Sequence, residues 1–265
     1  MTELFFEYQG QRLHYRVDGP ETGPSLVFAN SLGTDLTLWD DVISHLPDGF
    51  RILRMDKRGH GKSDIPPAPY AMGMLIGDFE SLMDHLGLRD VVFVGLSIGG
   101  MIAQGLATKR LDLVRALVLS NTGAKIGTAE MWQTRIDQLR SSGLEPMVET
   151  ILDRWFGRSF RHSTSEDRWR KMLLATPLEG YMGCCYAIKG TDFFSPTSGL
   201  RLPTLAIAGS EDNATPPDMV RELGDLIPGS DFELIRGAGH LPCAEKPELY
   251  AQTLTRFLTK IGHIP

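Results

Sequence analysis

The 265-residue sequence predicts an α/β fold with a mostly parallel central sheet, helices on both faces and a helical insertion. Short apolar runs recur along the chain without polar alternation, which is typical of strands that are covered on both faces. Amphipathic helical patterns lie between most of these runs, and such alternation favours a parallel sheet. The pattern is interrupted once, where helical stretches follow one another without a strand-like run.

The individual elements follow in a regular order from the amino terminus. Residues 4–8 and 12–17 alternate apolar and polar side chains around Gln9-Gly10-Gln11, which predicts an antiparallel hairpin. Continuous or partly apolar runs then predict strands at residues 25–29, 51–55, 91–94, 116–119, 204–208 and 231–235. The predicted helices are residues 38–46, 72–86, 98–110 and 247–260.

The interruption covers residues 123–197 and divides the chain into two kinds of region. We expect residues 1–122 and 198–265 to form one α/β core, because strand-like runs occur only in these two parts. The helical stretches between them predict a cap that is inserted over the sheet. A length of 265 residues is sufficient for a single α/β core with an inserted subdomain.

Composition and charge exclude several classes of protein. A net charge of −6 argues against a nucleic-acid partner and against a membrane-surface role, since both favour a basic face. The sequence lacks the run of about 18 apolar residues that a membrane span needs, and its amino terminus is unlike a secretory signal. The three cysteines match neither a disulfide framework nor a metal-ligand spacing. We therefore expect a cytoplasmic protein without a metal or an organic cofactor.

The pentapeptide Gly95-Leu96-Ser97-Ile98-Gly99 lies between a predicted strand and a predicted helix. A serine becomes a nucleophile only where a histidine can take its proton, and a sharp strand-to-helix turn exposes it for that purpose. Gly95 and Gly99 lack a Cβ atom, so they permit both the turn and a close approach of strand and helix. The motif in this context predicts Ser97 as a catalytic nucleophile.

A catalytic serine needs a base and an acid that orients the base, and the sequence offers both after later strands. Asp212 follows the run at 204–208, and His240 follows the run at 231–235. The carboxyl ends of parallel strands share one edge of a sheet, so both side chains are expected on the same edge as Ser97. There His240 would take the serine proton, while Asp212 would accept a hydrogen bond from the other ring nitrogen.

Backbone N–H groups must hold the negative oxygen that forms when a serine attacks a carbonyl. One donor is expected from Ile98, the residue after the nucleophile, and the second from Leu32 in the turn that follows residues 25–29. The glycine-rich segment 56–64, which contains His60, matches no phosphate-binding motif and predicts a hydrogen-bonded structural turn.

These features resemble the α/β hydrolases, and specifically the 3-oxoadipate enol-lactonase family. The resemblance spans nearly the whole chain, and the segments that carry it are Asn30-Ser31-Leu32-Gly33-Thr34 with Trp39, Arg58-Gly59-His60-Gly61, Gly95-Leu96-Ser97-Ile98-Gly99-Gly100-Met101, Ser120-Asn121-Thr122, Met131-Trp132-Gln133-Thr134-Arg135, Arg154-Trp155-Phe156, Gly180-Tyr181, Ala208-Gly209 with Asp212, Thr215-Pro216-Pro217 and Ala238-Gly239-His240-Leu241. The nucleophile, acid and base are common to many hydrolases. Asn30-Ser31 and the segment with Trp132 and Arg135 point to this family, and Ile98 departs mildly from its usual leucine.

The resemblance implies an α/β-hydrolase fold and hydrolysis of an enol-lactone with a free carboxylate, which gives 3-oxoadipate in the degradation of aromatic compounds. The expected partner is thus a small anionic lactone. Such a substrate needs a cation, and Arg135 is three residues after Trp132, so a helix would bring both onto one face. We expect Arg135 to bind the carboxylate and Trp132 to form a wall for the ring.

Other activities of the same fold remain open. A broad carboxylesterase and a carbon–carbon bond hydrolase of ring-cleavage products would use the same nucleophile, acid and base. A haloalkane dehalogenase or an epoxide hydrolase needs an aspartate in place of Ser97 and is disfavoured. A ligand-binding protein of this fold could keep the pocket without turnover, and repeated turnover distinguishes an enzyme from it.

Overall fold

The computed structural model describes residues 3–265, and within them eight strands form a single mixed sheet. In chain order the strands are β1 (Leu4–Tyr8), β2 (Gln11–Asp18), β3 (Ser25–Ala29), β4 (Arg51–Met55), β5 (Val91–Leu96), β6 (Val114–Ser120), β7 (Thr204–Gly209) and β8 (Asp231–Ile235). Their spatial order is β1-β2-β4-β3-β5-β6-β7-β8. The pairs β1–β2 and β2–β4 are antiparallel, and the remaining pairs are parallel. The predicted α/β fold with a mostly parallel sheet is confirmed.

The α-helices of residues 3–265 connect the strands and fill the stretch between β6 and β7. In chain order they are α1 (Asp40–Ile43), α2 (Met72–His85), α3 (Ile98–Lys109), α4 (Ala129–Ser142), α5 (Val148–Trp155), α6 (Glu166–Leu174), α7 (Leu178–Lys189), α8 (Phe194–Ser198), α9 (Pro217–Asp225), α10 (Pro242–Glu245) and α11 (Pro247–Lys260). None of the helices in this part of the chain combines the length and the apolar character that crossing a lipid bilayer requires.

The helix predicted at residues 38–46 is shorter than expected. Asp35 accepts a hydrogen bond from the Thr37 N–H at 2.8 Å and begins a 3₁₀ turn at Leu36, so the α-helical part starts only at Asp40. Pro47 disfavours a helical backbone at the residue before it, which helps to end the helix early. Periodicity alone misses both effects because they are local to the two ends.

The centre of the sheet positions the chemistry of the molecule. All six residues of β5 are buried, and α3 packs beside β5 with only its last turn reaching solvent. A strand covered on both faces in this way must be apolar along its whole length, as the sequence pattern indicates. The turn between β5 and α3 is therefore held between rigid elements.

The stretch between β6 and β7 is helical and also contacts the core. Helix α4 packs on α7, and Arg135 of α4 donates a hydrogen bond to the Tyr181 hydroxyl of α7 at 2.7 Å. Helix α7 in turn lies against the turn after β4, where a Cβ atom on Gly180 would come within 1.9 Å of the Gly59 oxygen. Glycine at both positions allows this close approach.

Candidate active site

Ser97 occupies the turn between β5 and α3 in a backbone conformation that side chains rarely adopt. Its φ is +59° and its ψ is −120°, a region that costs about 1–3 kcal/mol and persists only where the surroundings enforce it. The Ser97 N–H donates to the Ser120 backbone oxygen at 3.0 Å, and the Thr122 hydroxyl donates to the Ser97 backbone oxygen at 2.7 Å. These contacts with the end of β6 hold the strained serine in place.

The two glycines of the pentapeptide are required by close backbone contacts. A Cβ atom on Gly95 would lie 2.3 Å from the Gly99 oxygen, and one on Gly99 would lie 2.1 Å from the Ala29 oxygen. Either contact is far below van der Waals separation, so a larger residue would push α3 away from β5 and β3. The glycines therefore seat the helix that begins directly after Ser97.

Asp212 and His240 meet beside this turn as the sequence predicts. Asp212 follows β7, His240 follows β8, and the His240 Nδ1 atom lies 2.8 Å from the Asp212 Oδ2 atom. Both side chains are buried, and the Thr215 hydroxyl also contacts both of them, at 2.7 Å from Asp212 Oδ2 and 3.2 Å from His240 Nδ1. A carboxylate in this position fixes the ring and the tautomer of the histidine.

Asp212 is held in its ionised form by the groups around it. Burial by itself would raise the pKa of Asp212, but the charge and hydrogen bond of His240 outweigh burial, with help from Asn121 and Thr215, and lower it. The Ala214 and Thr215 N–H groups donate to Oδ1 at 2.7 and 3.0 Å. The acid is thereby kept as an acceptor for the histidine.

Asn121 is a site residue whose role the sequence reasoning missed. It follows β6, has a φ of +46°, and donates from Nδ2 to Asp212 Oδ2 at 2.8 Å and to the Gly239 oxygen at 3.3 Å. The position after a central strand was a usable signal, because Ser97, Asp212 and His240 occupy the equivalent place after other strands. Its neutral side chain is neither an acid nor a base, so residue type alone does not mark it as part of the site.

One cavity of about 200 Å³ opens above this edge of the sheet. Ser97 and His240 both line it, whereas Asp212 lies behind His240 and does not. In the described part of the chain, no hydrogen bond joins the Ser97 hydroxyl to the His240 ring. Such contacts are often long in unliganded enzymes and tighten when a substrate binds.

The two predicted backbone donors belong to Ile98, which follows Ser97, and to Leu32, which lines the same cavity as Ser97. Ile98 is the first residue of α3, so its N–H has no acceptor within the helix. Leu32 lies in the turn after β3 and lines the cavity. Within residues 3–265 the Leu32 N–H makes no hydrogen bond, and the turn is held instead by the Gly33 N–H, which donates to His60 Nε2 at 3.1 Å. The segment 56–64 is thus a structural turn that supports Leu32.

Trp132 and Arg135 both line the cavity from α4. The Trp132 indole donates to the Ile126 oxygen at 2.6 Å, and the Arg135 guanidinium lies 5.6 Å from both the Trp132 and the Tyr181 ring centres. Arg135 is half-buried beside the Tyr181 hydroxyl, its Nε atom is buried without a hydrogen-bond partner, and no carboxylate in the described residues pairs with it. An unpaired guanidinium at such a place can bind an anion.

Arg154 of α5 is a second cation at the cavity that was not predicted as a site residue. Its side chain is exposed, and among residues 3–265 it too has no carboxylate partner. By contrast, Arg161 and Arg170 of the same inserted stretch share Glu149 and Glu166 in a network. The position of Arg154 in the sequence does not indicate that it is unpaired, because the pairing of a surface arginine is decided by tertiary contacts.

Among residues 3–265, no group of three or more metal-binding side chains comes together.

Comparisons with known proteins identify the family to which this fold belongs. A family model described as the alpha/beta hydrolase fold matches residues 24–247. The 3-oxoadipate enol-lactonase 2 of Acinetobacter baylyi is 34% identical over 91% of this chain and 91% of its own. The crystal structure of the enol-lactonase from Burkholderia xenovorans is 35% identical, covers 97% of this chain and 100% of that chain, and superimposes with a TM-score of 0.92. A thermophilic esterase from Thermogutta terrifontis is 28% identical over 98% of this chain and 99% of its own, with a TM-score of 0.90.

The fold and the site define an α/β hydrolase, an enzyme that hydrolyses esters. The chain belongs to the α/β-hydrolase family and, within it, to the family of the 3-oxoadipate enol-lactonases. The resemblance inferred from the sequence is confirmed.

Proposed function

We propose that this protein opens the ring of 3-oxoadipate enol-lactone to give 3-oxoadipate, in the β-ketoadipate branch of aromatic degradation. The observation that carries the proposal is the half-buried Arg135 guanidinium, which lines the same cavity as Ser97 and His240 and has no carboxylate partner within residues 3–265. A substrate with its own carboxylate supplies that partner. The name of the Acinetobacter baylyi relative supports the same substrate, and the Burkholderia xenovorans relative is described as an enol-lactonase.

Ser97, His240 and Asp212 form the proposed catalytic group. Ser97 Oγ attacks the lactone carbonyl as His240 Nε2 takes its proton, and Asp212 stabilises the imidazolium through Nδ1. The N–H groups of Ile98 and Leu32 hold the negative oxygen of the tetrahedral intermediate. When that intermediate collapses, the ring C–O bond breaks and the enol oxygen receives the proton from His240.

Hydrolysis is completed by water at the acyl-enzyme. His240 takes a proton from the water as the water oxygen attacks the acyl carbon. The bond from the acyl carbon to Ser97 Oγ then breaks, and His240 returns the proton to Ser97 Oγ. The released enol relaxes to the ketone by moving a proton from oxygen to carbon. Because the enol is a good leaving group, ring opening is expected to be faster than this second half.

The inserted helices have a proposed role in recognition. Residues 123–197 would act as a cap over the core formed by 1–122 and 198–265, since α4 and α5 place side chains at the cavity. Arg135 would pair with the substrate carboxylate, while the Tyr181 hydroxyl keeps the guanidinium in place. The Trp132 ring, which lines the cavity, would then pack against the lactone ring.

The direct test is hydrolysis of enzymatically prepared 3-oxoadipate enol-lactone, followed by the loss of its ultraviolet absorbance. We expect rapid loss with the wild-type enzyme and, with Ser97→Ala, turnover lower by roughly 10⁶-fold. A neutral aryl ester is the parallel substrate, because it uses the same nucleophile and base but carries no carboxylate for Arg135. Slow lactone loss beside rapid aryl-ester cleavage would reject the lactonase assignment.

A general carboxylesterase is the second candidate activity. The similarity to the thermophilic esterase of Thermogutta terrifontis favours it, because that protein covers nearly all of this chain with a TM-score of 0.90. The two candidates differ in their use of Arg135, which a neutral ester does not need. The ratio of kcat/KM for the lactone to that for the aryl ester therefore separates them.

A further inference from the structure

Lys57 is a buried lysine directly beneath the turn that contains Leu32. Only 1% of its surface is exposed, although the ammonium group is one of the most costly groups to remove from water. Its Nζ atom donates to the Ser31 oxygen at 2.7 Å and to the Thr34 oxygen at 3.3 Å. No step of the proposed reaction uses this cation directly, so its burial needs another explanation.

The acceptor of the shorter contact is the oxygen of a particular peptide bond. Ser31 C=O and Leu32 N–H belong to the same peptide unit, which is trans. In a trans peptide the two groups point in opposite directions, so a donor that fixes the oxygen on one side also fixes the N–H on the other. Lys57 lies on the oxygen side, and Leu32 lines the cavity that Ser97 shares.

The same peptide oxygen receives further donors from Thr34. The Thr34 hydroxyl donates to the Ser31 oxygen at 3.0 Å, and the Thr34 N–H approaches it at 3.4 Å. Donors at the carbonyl oxygen of an amide polarise the whole unit and strengthen its N–H as a donor, and a charged donor does so most.

We propose that Lys57 is a positioning residue that orients and polarises the Ser31–Leu32 peptide, so that the Leu32 N–H stabilises the oxyanion formed when Ser97 attacks. The inference rests on the proposed function, in which Leu32 is one of the two oxyanion donors. It assigns to the lysine after β4 a role in the transition state, exerted through the backbone.

His60 fixes the next peptide, between Leu32 and Gly33, by accepting a hydrogen bond, whereas Lys57 donates one. The Gly33 N–H donates to His60 Nε2, and the other ring nitrogen lies 3.4 Å from the Arg58 oxygen. Burial, together with the charge of Lys57, lowers the pKa of His60 well below its usual value and keeps Nε2 free to accept. Burial also lowers the pKa of Lys57 to about 8, so the ammonium form still predominates at pH 7. One cationic donor and one neutral acceptor thus fix the turn.

The test compares Lys57→Met with Lys62→Met, the same substitution five residues away on the same segment. Lys62 is an exposed lysine that pairs with Glu3 and does not contact the turn. For Lys57→Met we expect kcat to fall about 10- to 100-fold, less than the loss of a whole oxyanion donor, on both the enol-lactone and p-nitrophenyl acetate. KM should change less than about twofold, because the ground-state carbonyl oxygen depends little on this donor. Lys62→Met should match the wild type.

A purely structural role would give a different result. Phenylboronic acid forms a tetrahedral adduct with an active serine, and its inhibition constant should rise with Lys57→Met by a factor similar to the loss in kcat. An unchanged kcat in a folded Lys57→Met enzyme, or a rise in KM alone, would overturn the proposal. If methionine prevents folding, Lys57→Gln retains an N–H donor without the charge. We expect its kcat to be at least about threefold lower, and a wild-type kcat would also overturn the proposal.

The substrate proposal and the Lys57 proposal fail in distinguishable ways. A wild-type enzyme that cleaves p-nitrophenyl acetate but not the enol-lactone would reject the substrate, and the comparison of Lys57→Met with Lys62→Met would still be decided on the aryl ester. Loss of activity on the lactone alone in Lys57→Met would reject the oxyanion role, because every substrate of the site forms an oxyanion.

Discussion

The carboxyl edge of the sheet and the inserted helices contribute to one cavity in opposite ways. At the sheet edge the carboxylate behind His240, that of Asp212, is fully partnered, because it accepts hydrogen bonds from Asn121, Thr215, Ala214 and His240. In the insertion, Arg135 and Arg154 face the cavity without a carboxylate partner in the described residues. The first region is organised for chemistry before a substrate arrives, and the second leaves charge available for one.

Disrupting the sheet edge should have the largest effect. Asp212→Asn keeps the shape of the side chain but favours the wrong histidine tautomer, so turnover should fall by on the order of 10⁴-fold. The loss should be equal for the enol-lactone and for a neutral aryl ester, because both depend on His240. Steady-state kinetics on the two substrates measures it, and near-normal turnover would mean that another acid, such as Asp218, serves the histidine.

Disrupting the insertion should affect one substrate only. In Arg135→Ala, kcat/KM for the enol-lactone should fall roughly 10- to 100-fold, the value of a hydrogen bond to a charged group, while the neutral ester changes less than about threefold. Arg140→Ala is a matched control, since Arg140 also lies on α4 and donates to a tyrosine hydroxyl of α7, that of Tyr186, on the exposed surface. Equal losses on both substrates would remove Arg135 as the anion-binding residue.

Glu245 connects the two regions and should make stability depend on pH. It accepts hydrogen bonds from the Gly239 N–H beside His240 at 2.6 Å and from the Gly157 N–H after α5 at 3.0 Å. Burial, with repulsion from Glu211, raises the pKa of Glu245 from its ordinary 4.5 to about 7, although the two N–H donors oppose the shift. The folded state therefore binds this proton more tightly than the unfolded state does.

The contribution of Glu245 should be complete below pH 4.5 and lost as the pH rises through about 7. The expected decrease in the free energy of unfolding is on the order of 2 kcal/mol across that window, allowing for partial solvent exposure. Glu245→Gln should flatten the profile, as measured by urea unfolding between pH 4.5 and 8. The same pH dependence in the variant would assign it to other groups.

The smallest effect is expected at Arg154, because its charge at the cavity is exposed to solvent and therefore strongly screened. Arg154→Ala should lower kcat/KM for the enol-lactone about two- to fivefold at low ionic strength, and the difference should vanish near roughly 0.5 M salt as the charge is screened. Arg158→Ala removes an equal charge from a residue that does not line the cavity. If both variants respond alike, the effect reflects net charge and not the position of Arg154.

Much of the fold and the placement of three site residues could be predicted from the sequence. Strand-like runs precede Ser97, Asp212 and His240, and parallel strands must bring their carboxyl ends to one edge of the sheet. The strand pattern therefore predicts that the three residues lie near one another. The helix after residue 38 was predicted too long, because its ends depend on Asp35 and Pro47. Asn121 and Lys57 were missed as site residues, since they act through hydrogen bonds to Asp212 and to Ser31 that no spacing indicates.

The alternation of strands and helices, the glycine-flanked serine turn and the positions of Ser97, Asp212 and His240 after their strands follow from the sequence alone, because periodicity and turn chemistry are local properties of the chain. The pairing of charges, in contrast, follows from the folded structure. Arg161 lies in a network with Glu149 and Glu166, whereas Arg135 lies against Tyr181 with no acid beside it in residues 3–265. Pairing depends on which side chains the folded backbone brings within a few ångströms, and the chain positions of these residues do not encode that distance.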